Sequence, residues 1–176
     1  MPVKLTTLYD AQTILRRVEE LAADIFRAYA GKELTAVIIM NGGFFFAADL
    51  LRHVDLPVRV DSLPAGSYVH HASTGQLTMR GRLKLDVKDR HVLLIDDILD
   101  TGFTLAELRK MILADGAASC RTCVLIDKDI PPEQKKAKPD WFGFRAPPQY
   151  LVGCGMDSDE LYRNLPDICI LSESEP

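Results

Sequence analysis

The sequence predicts an α/β fold, a mostly parallel twisted sheet flanked by helices, with a small cap from the C-terminal strands. Two observations carry the sheet. The runs "TAVIIM" (35–40) and "HVLLI" (91–95) are continuously apolar, as strands buried on both faces are, and "SCRTCVLID" (119–127) is a further strand. Stretches with helical spacing lie between them, and strands alternating with helices form a parallel sheet covered on both sides. The cap rests on a third observation: "WFGF", "YLVGC" and "ICIL" follow one another with little helix between them.

Taken in order, the first element is an amphipathic helix. Ile14, Leu15, Val18, Leu21, Ala22, Ile25, Phe26 and Tyr29 keep helical spacing, and Gly31 marks the stop. "TAVIIM" runs through the turn "NGG" into the helix "FFFAADLLRHV", and "PVRVDSL" completes a strand–helix–strand unit. From Pro64 to Lys88 the pattern dissolves into glycine-rich, polar sequence with at most a short hairpin, the usual character of a lid. "HVLLI" is then followed by the helix "TLAELRKMILADG", with Thr104 and Glu107 spaced as a capping box and Gly116 as its end. A Pro/Lys-rich connection, "PPEQKKAKP", leads to the C-terminal segments.

Composition narrows the function classes. In 176 residues, 47% are apolar and 26% charged, enough for one domain, 1–176, with a full hydrophobic core. A formal charge of −4 and the lack of basic runs interleaved with aromatics argue against a nucleic-acid surface. No apolar stretch approaches the ~20 residues of a membrane span, and "MPVKLTTLYD" does not read as a signal peptide, so a cytoplasmic protein with a small-molecule partner is expected. Cys120 and Cys123 form a C-x-x-C whose odd offset on a strand sends the side chains to opposite faces, which suits core cysteines rather than a metal pair.

The chemistry concentrates in "VLLIDDILDTGFT" (92–104), where a buried strand runs into Asp96, Asp97 and Asp100. Ligands of open parallel sheets bind beyond the carboxyl ends of strands, and "DTGFT" leads into a helix N-terminus, where free backbone N–H groups favour a phosphate. Carboxylates beside a phosphate nest suit a ligand that also carries a diol or a removable proton, as a ribose 5-phosphate does. Asp100 and Thr104 read alone could be helix caps. Receiver domains need an acceptor Asp and a Lys on later strands, and Lys128 comes too soon. Haloacid-type phosphatases need D-x-D, whereas these acids are adjacent.

The thirteen-residue pattern resembles the loop that binds 5-phosphoribosyl 1-pyrophosphate (PRPP) in type I phosphoribosyltransferases. "VIIMNGGFFFAADLL", "DSLPAGSYVHHASTG", "VLIDK" and "YLVGCGMDSDELYRNLPDICIL" resemble, in order, the pyrophosphate loop, mobile lid, purine-reading strand and base-binding segment of the hypoxanthine-guanine branch. The resemblance spans about residues 35 to 172. It implies that Asp100, Thr101, Gly102, Phe103 and Thr104 hold the 5-phosphate, that Asp96 and Asp97 meet the ribose hydroxyls, and that Asp100 is the general base near purine N7. The branch often has Glu-Asp where this chain has Asp96-Asp97.

It further implies that Lys128 reads O6 of a 6-oxopurine, that Tyr150 stacks on the base, and that Leu151 presents backbone to its edge. Asp157 would help hold magnesium and sit near the purine. Met40, Asn41, Gly42 and Gly43 would hold pyrophosphate, with a cis peptide between the first two, and Arg163 would contact it. A lysine is common in the branch at the position of Asn41. Ser67 and Tyr68 would close as a lid. His70 and His71, in the same loop, read as solvated.

The expected activity is a magnesium-dependent purine-salvage transfer from PRPP to hypoxanthine or guanine, in a homodimer or homotetramer. Two alternatives are a non-catalytic PRPP-binding regulator on the same fold and a pyrimidine phosphoribosyltransferase. Lys128 with "YLVGCGMD" argues against the second, and an acidic chain that keeps Asp100 argues against the first.

Overall fold

The computed structural model describes residues 3–63, 68–71, 76–79 and 83–173, the two middle segments in backbone only. Its elements are β1 (Val3–Tyr9), α1 (Ala11–Tyr29), β2 (Leu34–Ile39), α2 (Gly43–His53), β3 (Val58–Leu63), β4 (Tyr68–His71), β5 (Gln76–Met79), β6 (His91–Leu99), α3 (Phe103–Ala114), β7 (Ser119–Lys128), β8 (Trp141–Ala146), β9 (Leu151–Val152) and β10 (Ile168–Glu173). Five strands pair in parallel in the order β3-β2-β6-β7-β8.

The central strand β6 has Val92, Leu93, Leu94 and Ile95 all at 0% exposure, so it needs apolar side chains at every position rather than every second one. Leu93 and Ile95 pack with α1 and α2, while Val92 and Leu94 pack with α3, as strand alternation requires. Helix α1 begins at Asp10, whose carboxylate accepts the Thr13 N–H at 2.8 Å, and buries Ile14, Val18, Leu21 and Ile25. On β7, Cys123 faces the first core and Cys120 the second. Burial pushes the Cys120 thiol up to about 12 and the Cys123 thiol higher, which keeps both protonated and inert at neutral pH.

The structure departs from the sequence reading at both ends of the chain. Strand β1 precedes α1, a strand that the polar stretch "VKLTTLY" does not announce because its partner, β10, lies at the other end of the chain. "WFGF" is not part of the cap: as β8 it is the edge strand of the main sheet, and the small antiparallel sheet has the order β1-β10-β9. Backbone of the expected hairpin is present as β4 and β5, which pair antiparallel. The chain after it is tied to β3 by Asp61, whose carboxylate accepts the N–H groups of Lys84 and Leu85 at 2.6 and 2.9 Å. Among the described residues no helix is long and apolar enough to cross a membrane.

The two sheets are joined through Tyr9. Its ring stacks on Phe144 of β8 with centroids 4.2 Å apart, and its hydroxyl donates to the Arg145 carbonyl at 2.6 Å. Tyr9→Ala should lower stability by about 2 kcal/mol, read by urea denaturation, since a stacked aromatic contact and a hydrogen bond are lost together. Tyr9→Phe, which keeps the stacking, should lose about half as much.

Candidate active site

All five parallel strands end at the same edge of the sheet, and three of those ends build the site. At the end of β6, Asp96 is half-buried and Asp97 is 7% exposed. Their backbone N–H groups bend back on the pair: Asp96 Oδ1 accepts from the Asp97 N–H at 3.0 Å, and Asp97 Oδ1 from the Ile98 N–H at 2.9 Å. Burial, and then the neighbouring Asp97 carboxylate, push the Asp96 carboxyl well above the ordinary range. Burial also raises Asp97, partly offset by its hydrogen bonds and by the positive charge of Arg163.

Beyond the pair the chain turns through Asp100 to Thr104 around a cavity of about 130 Å³ lined by Asp96 and the run from Ile98 to Leu105. Gly102 takes the left-handed conformation, φ +77°, and is the N-cap of α3 without a side-chain capping bond. The capping box expected from Thr104 and Glu107 therefore does not form. The helix starts one residue before Thr104, and Glu107 instead pairs with Lys110 at 2.6 Å. Nor does Asp100 cap the helix. Its exposed carboxylate meets Lys128 Nζ at 3.3 Å. The sequence shows no cation near the three aspartates because this one arrives from β7.

At the end of β2, the Met40–Asn41 peptide is cis, and Gly42 and Gly43 turn the chain into α2. A Cβ on Gly42 would lie 2.3 Å from Asp97 Oδ2, and one on Gly43 would lie 3.0 Å from the Ile95 carbonyl. Only glycine allows this turn to close on β6. The C-terminal segment closes in turn on Gly42: a Cβ on Gly155, φ +104°, would lie 1.9 Å from the Gly42 carbonyl oxygen. Sequence reasoning passed over Gly155, whose only signal is its place in "GCGMD".

Arg163 binds this junction together. Its guanidinium donates to the Gly155 carbonyl at 2.7 Å and pairs with Asp157 and Glu160, each at 2.9 Å. Cys154, Asp159, Glu160 and Tyr162 all have positive φ, a concentration of unfavourable backbone of the kind that collects at functional sites. Tyr150 is 55% exposed, with its hydroxyl donating to the Asp157 carbonyl at 3.1 Å, whereas Leu151 is buried in β9. Ser67 lies outside the described residues, and so does the side chain of Tyr68; the expected lid roles fall there. The side chains of His70 and His71, read as solvated, also lie outside the described residues, and the remaining candidate site residues lie at these strand ends or on the segment that meets them.

With that geometry in view, the phosphoribosyl transferase domain family matches over residues 4–159. A hypoxanthine-guanine-xanthine phosphoribosyltransferase of Tritrichomonas foetus is 38% identical, covering 95% of this chain and 91% of the relative. A hypoxanthine-guanine phosphoribosyltransferase of Aquifex aeolicus is 37% identical, covering 97% and 96%. The chain belongs to the phosphoribosyl transferase family, on its hypoxanthine-guanine branch. A crystal structure of such an enzyme from Bacillus anthracis superposes with a TM-score of 0.88 at 30% identity, covering 98% of this chain and 100% of the other. That match extends to the whole architecture, including the small antiparallel sheet.

The raised carboxyls make a pH-dependent prediction. A carboxyl whose pKa is higher in the native state than in the unfolded one favours the native state most at low pH, and that stability is lost as pH rises above 3.8 and through the raised value. Asp97→Asn keeps the acceptor for the Ile98 N–H and removes the charge. It should raise the melting temperature at pH 8 by about 2–4 °C, the shift that ~1 kcal/mol gives a chain of this size, and change it less at pH 5.

Proposed function

We propose that the chain transfers the 5-phosphoribosyl group of PRPP to N9 of hypoxanthine or guanine, releasing pyrophosphate and forming IMP or GMP, as a purine-salvage enzyme. One observation carries the reading: the end of β6 brings Asp96, Asp100 and a glycine turn at a helix N-terminus around one cavity, with Asp97 beside Asp96 and with Lys128, from the end of β7, 3.3 Å from the exposed Asp100. Each has a task in that transfer. The N–H groups of the turn and the hydroxyls of Thr101 and Thr104 hold the 5-phosphate. Asp96 and Asp97 accept from the ribose hydroxyls, which replace the repulsion between the two carboxylates with hydrogen bonds.

Asp100 takes the proton from purine N7 as N9 forms its bond to ribose C1 and the bond from C1 to pyrophosphate oxygen breaks. Lys128 donates to O6 and leaves its bond with Asp100 free to exchange for base. A 6-amino group offers that cation no acceptor, so adenine is disfavoured. Tyr150, exposed beside the segment that bears Asp157, presents a ring for stacking. The amides of Asn41 to Gly43 and the Arg163 guanidinium receive pyrophosphate, while the Met40 N–H stays with the Leu63 carbonyl at 3.0 Å and fixes where the turn begins.

No group of three or more His, Cys, Asp or Glu gathers as a metal cage among the described residues. That fits magnesium, which binds through one or two carboxylates and takes its other ligands from substrate phosphates and water. When bound, magnesium would neutralise charge on the departing pyrophosphate, and Asp157 would be the carboxylate that helps hold it. The proposal extends to one catalytic domain, working in the cytoplasm as a homodimer or homotetramer, for which light scattering would return two or four times the mass of one chain.

The deciding experiment is pyrophosphate release from PRPP and magnesium with hypoxanthine, guanine, xanthine, adenine or uracil in turn. Release with hypoxanthine or guanine and none with adenine is expected; no release with any base overturns the activity. Asp100→Asn should lower kcat by roughly 10²- to 10⁴-fold, the contribution of a placed general base. Lys128→Gln should reduce the preference for hypoxanthine over adenine by at least about tenfold, read as the ratio of kcat/KM values.

A further inference from the structure

Against the glycine turn at Thr101 and Gly102 lies the connection from β7 to β8. We propose that this connection is a clamp that sets the direction of the turn's amides, and that Lys135 is a positioning residue for phosphoribosyl binding. The proposal rests on the assignment of the turn to the 5-phosphate.

Three contacts define the clamp. Lys135 Nζ donates to Asp127 Oδ1, with the two side chains only 13% and 5% exposed. The next residue, Lys136, donates its backbone N–H to the Thr101 carbonyl at 2.6 Å. The residue after that, Ala137, packs on Gly102: a Cβ on Gly102 would lie 3.0 Å from the Ala137 Cβ and 3.1 Å from its nitrogen. Successive residues thus anchor the connection, hold a carbonyl of the turn and fill the space its glycine leaves.

The Thr101 contact has a directional consequence. The peptide from Thr101 to Gly102 is trans, so its N–H points opposite to its C=O. Tying the carbonyl to Lys136 aims the Gly102 N–H away from the connection, as a donor for an anion on the far side. Left-handed Gly102 could otherwise rotate that peptide at little steric cost. A buried ion pair adds little net stability over an apolar pair, but it penalises any arrangement that leaves one charge unpaired, and this suits Lys135 and Asp127 to fixing one geometry.

Strand alternation ties the clamp to the other half of the site. Asp127 and Lys128 are neighbours on β7 and face opposite sides. Lys128 meets Asp100, where the turn opens, and Asp127 holds the lysine whose loop meets Thr101 and Gly102. The same two residues of β7 therefore brace the turn from both sides.

The test uses the full chain and measures affinity for ribose 5-phosphate and for pyrophosphate, together with KM for PRPP and for hypoxanthine. The variants are Lys135→Met, Lys135→Arg, Lys136→Pro, and the double variant Asp127→Asn with Lys135→Met, which leaves no buried charge unpaired. Lys135→Met, Lys136→Pro and the double variant should each weaken ribose 5-phosphate binding and raise the PRPP KM about tenfold, the loss of one charge-assisted or well-placed hydrogen bond. The hypoxanthine KM and pyrophosphate affinity should stay within about twofold, and Lys135→Arg should restore ribose 5-phosphate affinity. Wild-type ribose 5-phosphate affinity in a folded double variant and in Lys136→Pro overturns the clamp, as do equal losses for all three ligands. Binding of ribose 5-phosphate needs no turnover: clamp-dependent binding without release of pyrophosphate from any base sinks the activity and upholds the clamp, whereas a wild-type chain that does not bind ribose 5-phosphate sinks both.

Discussion

Everything at the site depends on β6 being held between two parallel neighbours with no exposed residue in its apolar run. Pairing with β2 and β7 in parallel sets the direction of all three strands, so their carboxyl ends share one edge. The chain cannot present the Asp96–Asp97 pair there without also presenting the cis turn after β2 and Lys128 at the end of β7. Gly42, Asp97 and Lys128, far apart in sequence, come to one edge of the sheet for that reason. The same strand alternation that divides Leu93 and Ile95 from Val92 and Leu94 also divides Asp127 from Lys128.

The site itself is electrostatically unfinished. Two adjacent carboxyls are driven above their ordinary range, both by burial and Asp96 also by the charge of Asp97, and the Arg163 charge offsets this only in part at Asp97. Beside them lies a glycine turn at the N-terminus of α3, which the proposed reading gives to a phosphate. Hydroxyl donors meet the first demand and an anion the second, and a phosphorylated sugar supplies both in one molecule. In the proposed reaction, stability forgone at Asp96 and Asp97 is recovered as the ribose hydroxyls bind.

Much of this was legible in the sequence because it is encoded locally. The apolar run ending in acids, the D-T-G-x-T turn and the strand-terminal lysine each announce themselves within a few residues, and the parallel sheet follows from alternation of element types. What stayed hidden depends on partners distant in sequence. Strand β1 is exposed and polar, and only its ladder with β10 makes it a strand. "WFGF" looks like the other short C-terminal segments, and its place at the edge of the main sheet is decided by pairing with β7. The capping box failed for a different reason: Gly102 turns left-handed and starts the helix early, so a local pattern lost to turn geometry. The role of Asp127 was also hidden, although a carboxylate inside an otherwise apolar strand must find a cation.

The pyrophosphate side shows how a missing charge changes the demands on those that remain. Where this branch commonly carries a lysine, the chain has exposed Asn41, so no side-chain cation stands on the β2 turn. The amides of the turn remain, fixed by Gly42 against Asp97 and by Gly155 against Gly42. In the proposed reaction the cationic work then falls on Arg163, which is already engaged by Asp157, Glu160 and the Gly155 carbonyl. An arginine can serve an incoming anion without leaving its carbonyl partner, because its planar group offers five donors. In that reaction, exchange of Asp157 for pyrophosphate would keep Arg163 paired throughout and free the Asp157 carboxylate. The glycine contact between residues 42 and 155 keeps the two halves of that exchange in register.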